Sequence, residues 1–492
     1  MNKFFRYFFP LFFLSCFSAF FFLRFLGQTP LRSWDEAWYA EIAKNILKTG
    51  NWFLLQWNGL PYFDHPPLAF WLMAFSFKIL GVNEFATRLP SALAGIGSVF
   101  LIFLLGRKLF NQKTGFWSGI ILTTVPWFWL RSREGNLDIV LVFFMILSIW
   151  LAEKTKDNLK AFFFLPIAFG FALLTKTVIA FGLLPVIVFV LLKSKVIIPK
   201  KYLLFTFFCL LFTVLPWYLT NYRAYGLTFL DRNIFVTGLK LPGYKALFSG
   251  ESFNRTFNLK NTFVQIQNGI SLWYKPFLVT FFLSVFFIRC QSVFVLYLWL
   301  VPFLSIFSLS AKAELWHLII LYPSIALLIA SFLSLSADSF IEQIYSFFNK
   351  SGKKYFSKSI LASFYFLVVS VFIFWNSSRI IKGLYKDIVK TNPVNDEIIL
   401  AKAAGVNNEV IYIDDDYWPA AVFYSGRKVY SIPHSTDTNI KNVKQLFSEA
   451  QKPFQLLTKQ WILERDNIST ASYKVLNRIG DRVLIKSTNS DL

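Results

Sequence analysis

The sequence predicts an all-α polytopic membrane protein of about eleven transmembrane helices, followed by a small extracytoplasmic α/β domain. Three observations carry this prediction. Of 492 residues, 55% are hydrophobic and 20% aromatic, with 61 Phe, and the mean hydropathy of +0.51 lies outside the range of a water-soluble domain. Apolar runs of about 20 residues recur, each long enough for a hydrocarbon core roughly 30 Å thick, whereas a membrane β-barrel would show alternating segments of about ten. Near residue 383 the composition turns polar, which separates a membrane module (1–382) from an outer domain (383–492).

The spans fall near 7–26, 89–106, 115–131, 137–152, 161–175, 177–192, 202–221, 270–288, 292–309, 315–333 and 359–376. The first is long, Phe-rich and lacks a small-residue cleavage site, so it reads as a retained helix and not as a signal peptide. With the N-terminus inside, the clusters Arg107/Lys108/Lys113, Lys154/Lys156/Lys160, Lys193/Lys195/Lys200/Lys201 and Lys350/Lys353/Lys354/Lys358 all fall in cytoplasmic loops. That is the positive-inside pattern, and an odd number of spans puts the C-terminus outside. Topology thus accounts for most of the net charge of +23, and nucleic acid is not an expected partner. Cys16, Cys209 and Cys290 lack metal-ligand spacing and read as core thiols.

Three segments remain outside. The first, 27–88, reads as short helices lying on the membrane. Apolar residues recur at helical spacing over 35–48, and 66–80 begins with Pro-Pro and reads as a re-entrant or interfacial helix. The second is the loop 222–269. The third is the tail, with strands at 409–414 and 428–432, a helix at 417–425 turning at Gly426, a helix at 439–450, and a hairpin at 473–486 around Gly480-Asp481. Asp414-Asp415-Asp416 reads as a solvated loop.

Residues 33–71 concentrate ionisable groups, Asp35, Glu36, Asp64 and His65, at a bilayer edge, which suggests chemistry on a lipid-linked substrate. Arg131, Arg133, Lys176 and Lys312 break the topology rule. All four fall on the outside near the bilayer surface, where long cations snorkel or bind anions. As a set they could hold a phosphate, with Arg offering bidentate geometry, or they could pair with Asp35, Glu36 and Asp138. Asp138 opens the fourth span; it pairs with Arg133, caps the helix, or shares a site with Asp35 as a general base. His65 could contact phosphate, bind a divalent cation with Glu36 or Asp64, or cap the next helix. His317 and His434 read as structural.

The ordered motifs resemble a known family. They are Trp34-Asp35-Glu36-Ala37-Trp38-Tyr39-Ala40-Glu41-Ile42-Ala43, Asn58-Gly59-Leu60-Pro61-Tyr62-Phe63-Asp64-His65-Pro66-Pro67-Leu68 and Arg88-Leu89-Pro90-Ser91-Ala92-Leu93, then Leu137-Asp138, Leu174-Thr175-Lys176, Ser310-Ala311-Lys312 and Tyr322-Pro323. Together they resemble membrane glycosyltransferases of the protein O-mannosyltransferase-like superfamily, in particular the undecaprenyl-phosphate aminoarabinose transferases that modify lipid A. The tail adds a weaker match at Ala421-Val422-Phe423-Tyr424-Ser425-Gly426-Arg427. The resemblance implies a GT-C fold, an active site in the first external loop, a polyprenyl-phosphate sugar donor, a metal dependence that varies across the superfamily, and an inner-membrane location. On that basis Asp35, Glu36 and Asp138 are the expected catalytic acids. His65, Arg88, Arg131, Arg133, Lys176 and Lys312 are the expected donor-phosphate ligands, and Glu36, Asp64 and His65 the candidate ligands of a divalent cation. The aminoarabinose branch often carries Lys where this chain has His65, which leaves the sugar open. The acceptor is a glycolipid such as lipid A, or a protein. The rival expectation is a transporter or lipid flippase, which would place ionisable groups near the midplane within inverted repeats.

Overall fold

The computed structural model describes residues 3–176, 178–194, 196–238, 257–309, 314–348, 357–391, 395–415, 417–434 and 440–488. Of the residues singled out above, Lys195, Ser310, Ala311, Lys312, Lys350, Lys353, Lys354, Asp416 and Asn439 lie outside these ranges. The protein is mostly helical, with one small sheet near its C-terminal end, and it divides into two compact units.

The first unit comprises Met1–Arg24, Phe63–Ala69 and Leu89–Lys386. The described part of each apolar run predicted above is mostly helical. Among the described residues six helices are long and apolar enough to cross a membrane: Glu84–Leu109, Lys200–Tyr225, Leu259–Phe287, Gln291–Ser308, Leu315–Leu335 and Ile360–Gly383. Burial sorts them. The apolar window of Leu315–Leu335 is 83% buried within the protein and that of Lys200–Tyr225 only 6%, so the first is a core helix and the second turns its Phe and Leu side chains outward. Cys16 and Cys290 are exposed, so these two are not core thiols.

The run read as one span at 115–131 is two helices, Gln112–Thr124 and Pro126–Ser132. Pro126 cannot donate to the preceding turn, and Val125 before it takes an extended conformation at ψ 120°. This break creates the short helix that carries Arg131.

The second unit comprises Phe25–Tyr62, Phe70–Arg88 and Asp387–Leu492. The opening segment therefore shares a unit with the tail, and contact does not group it with the membrane helices. Helix Asp35–Thr49 ends at Gly50, whose φ of 70° closes the last turn. Two short strands, β1 (Gln56–Trp57) and β2 (Leu60–Pro61), pair around Asn58 (φ 52°) and Gly59 (φ 80°). Both central residues are left-handed, as a two-residue hairpin of type I′ requires. Helix Leu68–Leu80 has 13 residues, about 20 Å of rise, which is too short to span.

The tail is a five-stranded mixed sheet in the order β4-β3-β5-β7-β6, with β3 Val410–Ile413, β4 Val429–Ser431, β5 Phe454–Lys459, β6 Tyr473–Ile479 and β7 Arg482–Ser487. β3 runs parallel to β4 and β5, and the β6–β7 hairpin adds antiparallel to β5. Val443, Leu446, Phe454, Leu456, Ile462 and Ile485 form its core. Asp415, expected in a solvated loop, is instead paired with Lys459 and Arg482.

Candidate active site

Four ionisable side chains meet in the first unit. The broken helix ends with Arg131, the turn after it supplies Glu134, Asp138 opens helix Asp138–Lys154, and Lys176 follows helix Lys160–Leu173. Arg131 Nη2 donates to Asp138 Oδ2 at 2.7 Å and Nη1 to Glu134 Oε2 at 2.9 Å, and Lys176 Nζ reaches Asp138 Oδ1. Asn136 ties the turn together. Its side-chain amide donates to the Arg131 and Glu134 carbonyls, its Oδ1 accepts from Ile139 N–H, and its backbone bonds Ser91. Arg131, Glu134 and Asp138 are buried, and Lys176 is half-buried. Two cations facing two carboxylates make the cluster neutral, the condition under which charges survive burial.

Arg133 has a different environment. Its Nη1 donates to the carbonyls of Phe21 (3.1 Å), Phe22 (3.3 Å) and Arg24 (2.6 Å), and its guanidinium lies 5.1 Å from the Trp129 ring centroid. It satisfies the orphan carbonyls at the end of helix Lys3–Leu23. Asp64, half-buried, accepts from Arg232 Nε at 2.6 Å and Thr237 Oγ1 at 3.2 Å, while Asn233 holds the Phe63 carbonyl at 2.7 Å. His65 beside it is half-buried too.

In the second unit Glu36 is buried against Arg88, with Nε–Oε1 at 2.7 Å and Nη2–Oε2 at 2.9 Å. Arg88 Nη1 also donates to the carbonyls of Leu26 and Thr29, both at 2.8 Å, and Nη2 to Pro30 at 2.9 Å. With a further bond from Nη1 to Thr29 Oγ1 at 3.3 Å, the five N–H donors are all engaged, which leaves none for a phosphate; Arg88 is an anchor for Glu36 and not the donor ligand expected from the sequence. Glu36 takes a further bond from Arg32 N–H at 2.9 Å, so of the two adjacent acids it is the committed one. Asp35, at the first position of its helix, is half-buried. Glu41, buried one turn on, is raised to about 7 by burial against the opposing pull of Lys44, whose Nζ is 3.3 Å away.

Glu36, Asp64 and His65 do not fit a metal site. Both carboxylates are already engaged by arginine, and among the described residues no three of His, Cys, Asp and Glu gather as ligands would. Sequence reasoning missed Glu134 and Arg232. Glu134 was within reach, standing three residues after Arg131 in Arg-Ser-Arg-Glu. No local pattern links Arg232 to Asp64.

Residues 64–218 match the family model for dolichyl-phosphate-mannose-protein mannosyltransferases, a stretch that contains Arg131, Asp138 and Lys176. The crystal structure of ArnT from Cupriavidus metallidurans bound to undecaprenyl phosphate superposes with a TM-score of 0.72 over 98% of both chains. The chain resembles the GT-C glycosyltransferases. At 15% identity the likeness to ArnT is one of fold. Among sequence relatives, an uncharacterized protein of Aquifex aeolicus is 28% identical over 63% of this chain and 61% of its own length. An undecaprenyl phosphate-alpha-4-amino-4-deoxy-L-arabinose arabinosyl transferase of Shewanella sediminis is 29% identical over 44% of this chain and 40% of its own. The chain thus covers less than two thirds of these relatives.

Proposed function

We propose that the protein is a multi-pass glycosyltransferase of the inner membrane that moves one sugar, with inversion, from a polyprenyl-phosphate carrier to an extracytoplasmic acceptor. The observation that carries this reading is the fold shared along nearly the whole chain with ArnT, a protein crystallised with undecaprenyl phosphate. The buried cluster of Arg131, Glu134, Asp138 and Lys176 supports it, because two cations held at a helix start suit an anionic leaving group.

An acceptor hydroxyl on lipid A, another glycolipid or a protein attacks the anomeric carbon, and Asp35 takes its proton. The bond from that carbon to the phosphate oxygen breaks, and the electron pair leaves with the phosphate. Lys176 and Arg131 neutralise the charge that develops there, which is electrostatic stabilisation of the departing group. Asp138 and Glu134 hold the two cations ready, and Glu36 fixes the segment bearing Asp35. About eleven spans, with the acids and the tail on the outer side, follow from the positive-inside pattern.

The test is turnover by purified, reconstituted protein given a panel of labelled undecaprenyl-phosphate sugars and envelope extracts. Asp35→Asn abolishes transfer while its melting temperature stays that of the wild type. Near-normal turnover by that variant removes Asp35 from the chemistry and the reading with it.

A further inference from the structure

The Ala421–Arg427 motif of the tail plays no part in the chemistry above, yet within the second unit it touches the segment that bears the acids. Tyr424 Oη accepts from Leu31 N–H at 2.9 Å and donates to Glu84 Oε1 at 2.9 Å. Leu31 is fully buried and flanked on both sides by the Glu36–Arg88 pair. The Pro30 carbonyl before it accepts from Arg88, and the Arg32 N–H after it donates to Glu36. One residue along the motif, the Phe423 carbonyl accepts from Lys44 of helix Asp35–Thr49 at 2.9 Å. Gly426, in the left-handed region at φ 67°, ends the tail helix at this point.

A second link lies at the β1–β2 turn. Asn58 Nδ2 donates to the Val429 carbonyl at 2.9 Å, and Asn58 Oδ1 accepts from Val429 N–H at 3.0 Å. Val429 opens the edge strand β4, so one side chain satisfies both backbone groups that a neighbouring strand would otherwise meet. The hairpin is tied in turn to helix Asp35–Thr49 by Asn45 Nδ2 on the Gln56 carbonyl at 3.2 Å, and Trp57 packs edge-on against Trp418 with centroids 4.6 Å apart.

We propose that Tyr424 and Asn58 are positioning residues through which the tail domain fixes the acid-bearing segment, so that the tail sets turnover without touching the substrate. The inference rests on the assignment of Asp35 to the chemistry. Burial raises the Tyr424 phenol well above its usual range, so it stays a neutral donor to Glu84 at working pH. Loss of its hydroxyl leaves Leu31 N–H without its acceptor and frees the turn that seats Asp35.

The experiment compares the full-length wild type with Tyr424→Phe, Asn58→Asp, Ile485→Val and Asp35→Asn, using the undecaprenyl-phosphate sugar from the panel that the wild type turns over fastest. Tyr424→Phe lowers kcat roughly ten- to hundredfold, the scale of a small misplacement of a reacting group, with KM for the donor held within about twofold. Asn58→Asp keeps the acceptor and loses the donor, so it moves kcat in the same direction by less. Ile485→Val trims the core of the tail and lowers Tm, with kcat of the folded fraction unchanged. Wild-type kcat in both positioning variants overturns the proposal, and so does an equal loss of kcat in Ile485→Val, which would make the tail merely a source of stability. Should Tyr424→Phe fail to fold, the Asn58→Asp result decides. An active Asp35→Asn overturns the catalytic assignment itself, an outcome separate from either of these.

Discussion

The two buried ion-pair clusters differ in what their cations have left to offer. Around Glu36, Arg88 spends every N–H on one carboxylate and three carbonyls of the loop 26–30, and its side chain is 4% exposed. Around Asp138, Lys176 is a point charge on a flexible stem, 17% exposed, and meets a carboxylate that Arg131 already satisfies. The first cluster is a clasp that pins a loop. The second holds its charge more loosely, since Asp138 keeps Arg131 as a partner whatever Lys176 meets. Both look alike in sequence, as conspicuous charges beside apolar runs, and only the partners each cation already has tell the two apart.

Breaking the clasp gives the largest effect. Arg88→Met leaves Glu36 buried without its cation, which destabilises by about 3–5 kcal/mol, read as a fall in melting temperature. Arg88→Met combined with Glu36→Leu recovers the part of that loss due to the stranded charge, but not the part due to the Leu26, Thr29 and Pro30 carbonyls and the Arg32 N–H, which still lack their partners. In the other cluster the weight falls on activity. Lys176→Met lowers transfer about 10²–10³-fold, the range for removing one group that stabilises developing charge, and lowers the melting temperature less than Arg88→Met does. A Lys176→Met protein that transfers normally and melts as low as Arg88→Met would erase the distinction.

The helical character of the apolar runs was legible in the sequence, because long stretches without polar side chains report on their surroundings directly. Helix Asp35–Thr49, the strand Val410–Ile413 and the turn at Gly426 were legible for the same reason: periodicity and a glycine with positive φ leave local marks. The strand Phe454–Lys459 left none. It lies at the centre of the sheet with both faces buried, so its residues do not alternate, and Gln455 breaks the apolar run. The break at Val125–Pro126 was not legible, because Pro90, Pro166, Pro216 and Pro302 lie inside unbroken helices and a proline alone does not mark one. In the site, Asp138 and Lys176 stood out as charges at span ends, and they do meet. The Arg88–Glu36 pairing, the Arg232–Asp64 pairing and the bond between Tyr424 and Leu31 join residues 52, 168 and 393 positions apart, and nothing short of the fold encodes such distances.

Glu41 sharpens the comparison from a third side, as a buried carboxylate whose paired cation, Lys44, is itself partly exposed and shared with the Phe423 carbonyl, with Lys48 adding a weaker pull. Attraction therefore fails to offset burial, and its carboxyl titrates near 7 against an ordinary value of 4.5. Between these two values the folded protein keeps a proton that the unfolded chain has released. Stability from this group is then complete below about pH 4.5 and is lost as the pH rises through about 7, the reverse of a salt-bridged carboxylate such as Glu409, which Lys486 holds below its usual range. The span of the shift sets an upper limit of about 3 kcal/mol. Glu41→Gln, which mimics the protonated acid, melts like the wild type at pH 5 and higher than the wild type at pH 8, with the gap opening between those values. A gap that stayed constant with pH, or that closed as the pH rose, would mean that Glu41 is ionised in the fold and that Lys44 compensates it as fully as Arg88 compensates Glu36.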